Sequence, residues 1–134
     1  MTLYIGTDIV EIARIREAVE RFGGRFLNRV YTRPELNKYG RKAHSLAASF
    51  ASKEAVMKLL GTGNKGVAFR EIETLYKPGT RPRIVLGGRA LMQARKLGIK
   101  DLQVSLAHCQ DYAMATVIGE YKIKEIISKK QTKI

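Results

Sequence analysis

Glu54 and Lys58 stand four residues apart in the stretch FASKEAVMKLLGTG, Phe50 to Gly63. On a helix that spacing puts a carboxylate and an ammonium one turn apart on the same face. Two kinds of chemistry fit. The plain one is a surface salt bridge, contributing about 0.3–0.5 kcal/mol. The other is a polyanionic ligand. Glu54 is then a hard oxygen donor for Mg²⁺, a cation commonly held by one or two carboxylates together with substrate phosphates. Lys58 neutralises phosphate charge, and the backbone N–H groups of GTGNKG, Gly61 to Gly66, approach the anion. A second carboxylate is at hand in Asp8, which interrupts the otherwise strand-like run LYIGTDIV, Leu3 to Val10, where aspartate is disfavoured.

These side chains need elements to hold them. Leu3 to Val10 reads as a strand with Tyr4, Gly6, Asp8 and Val10 on one face. Helical spacing follows: Ile12, Ile15, Val19 and Phe22 form an apolar stripe, Arg14, Arg21 and Arg25 lie on another side, and Gly23-Gly24 ends the helix. Six arginines between positions 14 and 33 face only Glu17 and Glu20, which fits either a solvated face or a docking surface for an acidic partner. In YTRPEL, Thr32 is an N-cap, Pro34 lies in the first turn and Glu35 closes a capping box, predicting a short helix to about Tyr39.

After the polar link GRKAH the long helix is expected from about Ser45 to Gly61, which suits the left-handed position after a helix end. Leu46, Phe50, Met57 and Leu60 share one side of it, with Lys53 among them. Ala47 and Ala51 flank the Glu54 and Lys58 face and leave room for another group there. Beyond it, REIETLYK and RPRIVLG alternate as strands joined by PGT, GRALMQARKLG is an amphipathic helix, and LQVSLAHC with YAMATVIGEY makes a hairpin across QD. The order βααα–ββ–α–ββ is α+β. Residues 1–121 are expected to form a single domain, and residues 122–134 a basic tail, frayed or loosely helical.

The formal net charge is +13, from 25 Lys+Arg against 12 Asp+Glu, and it calls for an anionic partner. Nucleic acid, anionic lipid, an acidic protein and a small polyanion all qualify. Aromatics make up only 7% of the chain, tryptophan is absent and no helix-turn-helix stands out, so a small nucleic-acid-binding module is the weaker alternative. The lone Cys109 excludes an internal disulfide framework and suits a reducing compartment; it reads as a core or neutral residue. The first residues lack the basic segment of a signal peptide, and no uncharged run approaches the ~20 residues of a membrane span. A cytoplasmic protein without a membrane partner is expected.

Two motifs resemble those of the 4′-phosphopantetheinyl transferases of the holo-[acyl-carrier-protein] synthase type. One is IGTDIVEIARI, with Gly6, Asp8, Glu11 and Arg14; the other is FASKEAVMKLLGTG. Weaker matches follow in order: TRPEL, the strand pair around PGTRPRIVL, and VSLAHCQDYAMATV. The resemblance runs over about residues 2 to 121. It implies a fold in which an antiparallel sheet packs on a long central helix. It also implies transfer of the phosphopantetheine arm of coenzyme A, the co-substrate, to a serine of apo acyl carrier protein, with release of adenosine 3′,5′-bisphosphate.

By this match Asp8 and Glu54 resemble the Mg²⁺ ligands, and Lys58 the residue near the pyrophosphate that protonates the leaving group. Gly61, Thr62, Pro82 and His108 resemble parts of the coenzyme A site, and Arg14 and Arg21 the carrier-protein docking helix. The serine proton is expected to pass to Glu54, directly or through water. Family members of this size resemble homotrimers with active sites between subunits. Two departures stand out: Ser49 replaces an arginine common before the aromatic of the second motif, and Arg81 occupies a basic position next to Pro82, where it is expected to contact coenzyme A. A lone histidine in a strand is often structural, so His108 draws its ligand role from the resemblance. Lys53 fits either a snorkelling side chain or a coenzyme A contact.

Overall fold

A computed structural model describes residues 2–77 and 79–121 of the chain. The lysine-rich tail and Pro78 of the PGT turn therefore lie outside the described residues. Strands β1 (Thr2–Glu11), β4 (Ile99–His108) and β5 (Tyr112–Tyr121) form an antiparallel sheet in the order β1-β5-β4. Strand alternation sets its two faces. Tyr4, Gly6, Asp8 and Val10 share the inner face with Gly119, Val117, Ala115 and Ala113 of β5, their register partners. All four β5 residues are buried beneath helix α4 (Ala43–Leu60).

Small residues line this contact because a helix must lie flat on the sheet. Ala47, Ala51 and Ala55 of α4 are fully buried. Ala47 and Ala51, expected to leave space for another group, are therefore covered by the protein itself, and at Ala55 the carbonyl oxygen meets the backbone of Gly6. The long helix begins at Ala43 rather than Ser45: Lys42 adopts the extended N-cap conformation without a side-chain cap, and Ser45 lies inside the first turn. Its end is as expected, with Gly61 left-handed at φ +75°.

Helix α1 (Ile12–Phe22) follows β1 directly and buries Ile12, Ile15 and Val19. Phe22, expected in that stripe, is 51% exposed, and the Arg21 guanidinium lies over its ring at 5.4 Å. Gly23, at φ +53°, closes α1, but a further helix that the periodicity did not signal, α2 (Gly24–Val30), starts at once. Seven residues with two buried apolar positions, Leu27 and Val30, are too short to display a 3.6-residue period. The capping box of α3 (Arg33–Tyr39) is present as read: Thr32 Oγ1 accepts from Glu35 N at 3.3 Å, and Glu35 Oε1 accepts from Thr32 N at 2.8 Å.

Strands β2 (Ile72–Leu75) and β3 (Arg83–Leu86) form a separate antiparallel pair. The first is shorter than REIETLYK suggests because Phe69–Glu71 turn as a 3₁₀ helix. Glu71 holds that turn by accepting from Ala68 N at 2.9 Å. The same carboxylate caps α5 (Gly88–Lys96): it accepts from the backbone N–H groups of Arg89 and of Ala90, the latter at 3.2 Å, and from the Arg89 guanidinium at 3.1 Å. The hairpin between β4 and β5 turns at Gln110-Asp111, where Cys109 N donates to Tyr112 O at 2.9 Å. Cys109 is exposed, not in the core, because the strand ends beside it.

Candidate active site

Gly6 brings β1 directly against the backbone of α4. A Cβ there would lie 1.9 Å from Ala55 O, so only glycine permits the approach. Two residues on, Asp8 points along the same face, and Lys58 Nζ donates to Asp8 Oδ1 at 2.9 Å and to Thr7 O at 3.0 Å. The lysine is thus paired across elements. The i,i+4 bridge to Glu54 is not the arrangement formed, because Asp8 offers a carboxylate that strand β1 already holds in place.

Glu54 is half-buried and lines a cavity of about 320 Å³ with Asp8, Arg14, Ile15, Phe26 and Phe50. Burial raises its affinity for a proton above that of an ordinary carboxyl, and the Asp8 charge adds to the effect; Lys58 and Arg14 oppose it. Two carboxylates that repel across one cavity make a place where a divalent cation would relieve the repulsion. Among the described residues there is no cluster of three or more His, Cys, Asp or Glu side chains suited to a metal. Two carboxylates alone would leave a hard divalent cation to be completed by water and phosphate oxygens.

Beyond Lys58 the helix ends in a turn with Gly61 and Gly63 both at positive φ. Thr62 is held there, its N–H donating to Met57 O at 3.2 Å. Arg14 joins the cavity from α1, whereas Arg21 lies further along that helix, exposed and over Phe22. Arg81 and Pro82 lie apart from this cavity. Both line one of about 410 Å³ against α5 and β4, and Arg81 also lines one of about 480 Å³ with Lys38, Tyr76, Lys77 and Arg83. His108 is exposed at the end of β4, edge-on to the His44 ring with centroids 5.6 Å apart. Within one chain the structure gathers Asp8, Glu54, Lys58 and Arg14, and leaves Arg81, Pro82 and His108 separate from them.

Lys53 does not snorkel to the surface, and its ammonium is held by partners inside the chain. Its side chain is fully buried and ion-paired to Glu35 at 2.8 Å, and the ammonium also donates to Phe69 O at 3.2 Å and to Ile72 O. Burial lowers its proton affinity, and Glu35 opposes that. Glu35 Oε2 accepts from Thr74 N at 2.8 Å and from Ser49 Oγ at 3.1 Å. Ser49, the departure from the resembled motif, is thus a buried member of this network rather than a surface position. Sequence reading assigned Glu35 to capping alone. The available signal was a lysine on an apolar face, which requires a buried carboxylate somewhere in the chain.

The family model described as "4′-phosphopantetheinyl transferase superfamily" matches residues 4–117. The chain belongs to that superfamily. A holo-[acyl-carrier-protein] synthase of Dehalococcoides mccartyi is 50% identical over 118 residues, covering 88% of this chain and 98% of the relative. Among solved structures, the holo-[acyl-carrier-protein] synthase of Neisseria meningitidis superposes with a TM-score of 0.80 at 34% identity, covering 89% of this chain and 99% of that one. The enzyme of the same name from Helicobacter pylori, solved in complex with coenzyme A, gives 0.77 at 35% identity over 87% and 99%. Membership of this enzyme family sets aside the nucleic-acid-binding alternative. The fold is the α+β arrangement expected, an antiparallel sheet packed on a long helix. Among the described residues no helix is long and apolar enough to cross a membrane.

Proposed function

We propose that this chain transfers the 4′-phosphopantetheine arm of coenzyme A to a serine of apo acyl carrier protein in a Mg²⁺-dependent reaction, releasing adenosine 3′,5′-bisphosphate. The observation that carries the reading is the meeting of Asp8 and Glu54 across the β1–α4 contact, with Lys58 already bound to Asp8. Asp8 and Glu54 are the side chains to hold Mg²⁺. When bound, the ion neutralises charge on the pyrophosphate and polarises the phosphorus under attack.

The protein's own part is positioning and proton handling. The serine oxygen forms a bond to the phosphorus that bears pantetheine, and the bond from that phosphorus to the bridging oxygen of the pyrophosphate breaks. Glu54, with its raised proton affinity, accepts the serine proton directly or through water. Lys58 Nζ, held beside Asp8 near the helix end, stabilises or protonates the departing phosphate.

The nucleotide end of coenzyme A suits the basic cavity where Lys38, Lys77, Arg81 and Arg83 surround Tyr76, with Pro82 next to it and His108 as a further contact. Because these groups lie apart from Asp8 in one chain, the reading includes a homotrimer whose neighbouring copies complete each site. The outer face of the sheet supports this: Leu3, Ile5, Ile9, Met114 and Ile118 stand exposed side by side on β1 and β5. Arg14 and Arg21 on α1 form the docking surface for an acidic carrier protein. A cytoplasmic setting and a catalytic domain spanning residues 1–121 belong to the same reading. Incubation with apo carrier protein, coenzyme A and Mg²⁺ should add one phosphopantetheine mass to the carrier; its absence across several carrier proteins would overturn the proposal.

A further inference from the structure

Helix α4 presents adjacent residues to different neighbouring elements. Glu54 faces the cavity shared with β1 and α1, while Lys53 faces α3, the 3₁₀ turn and β2. On the Lys53 side the contacts are polar and directional. The ammonium has three acceptors, one on α3 and two backbone carbonyls at Phe69 and Ile72. Glu35 in turn takes donors from Thr32, Ser49, Lys53 and Thr74, so its four contacts bridge α3, α4 and β2. Among the described residues no buried side-chain N or O atom is left without a partner. Ser52 Oγ, one residue before Lys53, meets Thr74 Oγ1 at 2.8 Å and reinforces the same side.

Apolar packing tolerates small rotations of a helix, whereas a network of this kind has one satisfied geometry. The chain leaves α4 at Leu60, runs through the glycine turn and returns at Phe69, whose carbonyl Lys53 binds. One side chain therefore ties the helix that carries Glu54 and Lys58 to the point where the glycine turn comes back.

We infer that Lys53 is a positioning residue: with Glu35 it fixes the rotation of α4 that delivers Glu54 to Asp8 and the span of the turn from Gly61 to Gly66. This rests on the reading of Glu54 as a reacting or metal-holding group.

The test compares Lys53→Met, the double variant Glu35→Gln/Lys53→Met, and Glu54→Gln, each assayed well below its own melting midpoint with apo carrier protein, coenzyme A and Mg²⁺. Calorimetric titration with Mg²⁺ and coenzyme A reports the competent fraction. The double variant removes both buried charges and keeps an amide to serve the cap, so its melting temperature should return toward that of the parent even where Lys53→Met alone unfolds. Its kcat should remain lower by roughly 10- to 100-fold, with KM for the carrier protein unchanged because the α1 arginines are untouched. A crystal structure of the double variant should show the Glu54 carboxylate moved relative to Asp8. Full kcat in the double variant, or an unmoved Glu54, would reduce the pair to a stabilising contact and overturn the inference. Full activity in Glu54→Gln would instead overturn the reading on which it rests.

Discussion

Gly6 and Ala55 touch backbone to backbone: a methyl group on Gly6 would sit 1.9 Å from the Ala55 carbonyl oxygen and 3.0 Å from Leu59 N. That contact sets the separation of β1 and α4, and with it the reach from Asp8 to Glu54 and Lys58. Gly6→Ala must push the strand off the helix. The expected cost is about 1–3 kcal/mol of stability, as for other overpacked sites, together with a loss of turnover larger than the fall in folded fraction. Thermal melts paired with the transfer assay check both.

Asp8→Asn and Glu54→Gln change charge with little change in volume. Each should lower kcat by about 100-fold or more. Their melting temperatures should stay near that of the parent, since relieving carboxylate repulsion offsets lost pairing. Glu54→Gln should also weaken Mg²⁺ binding in calorimetry. Lys58→Ala differs: its side chain is 56% exposed, so the pair with Asp8 contributes at most about 1 kcal/mol, and the defect should fall on the chemical step.

That Asp8 and Glu54 line one cavity was legible because an aspartate in a strand and a glutamate on a helix flanked by alanines are both anomalies of residue type. Lys53 was an anomaly of the same kind, but its partner Glu35 was hidden behind a second job: the capping box already accounted for it locally. Long-range polar networks leave no periodicity, and only the fold brings residues 35, 49, 53 and 74 together. Helix α2 escaped for the opposite reason, being too short for a period to show. Ala47 and Ala51 were misread because a small residue leaves room without saying whether a ligand or the protein itself fills it, and both are fully buried.

Glu71 gives a prediction about stability and pH. Burial raises its pKa, but hydrogen bonds from the Ala68, Ala90 and Arg89 N–H groups and from the Arg89 side chain outweigh this and hold it below the ordinary carboxylate value. A depressed carboxylate stabilises the fold above its unfolded pKa, and that contribution is lost as pH falls through the folded one. Glu71→Gln should therefore cost about 1 kcal/mol near neutral pH. The gap between variant and parent melting temperatures should close as the pH drops below the normal carboxylate range. A gap that stays constant with pH would mean the charge is not what caps α5.

The outer face of the sheet supplies a test of assembly. Ile5 is 65% exposed and Ile9 63%, and both point away from α4. Ile5→Glu should leave the fold of a single chain intact, because among the described residues that side chain lies largely exposed on the outer face. If the proposed homotrimer closes through this face, the mass seen by light scattering should fall from three chains to one. Activity should fall with assembly, since Arg81 and Pro82 lie outside the cavity of Asp8 and Glu54 in one chain.

Arg81 and Arg21 should fail in different ways. Arg81 lines a cavity with Lys38, Lys77 and Arg83, so Arg81→Ala should raise KM for coenzyme A about tenfold, the loss of one charge-assisted contact, with kcat and carrier-protein KM unchanged. Arg21 is exposed on α1 and removed from the cavity that Arg14 lines. Arg21→Glu should raise KM for the carrier protein and leave that for coenzyme A alone. The defect should shrink as salt is added, because encounter between a basic helix and an acidic partner is screened over about 10 Å at 0.1 M ionic strength. Steady-state kinetics over a salt series separates the two: a salt-independent Arg21→Glu defect would place the carrier protein elsewhere on the surface.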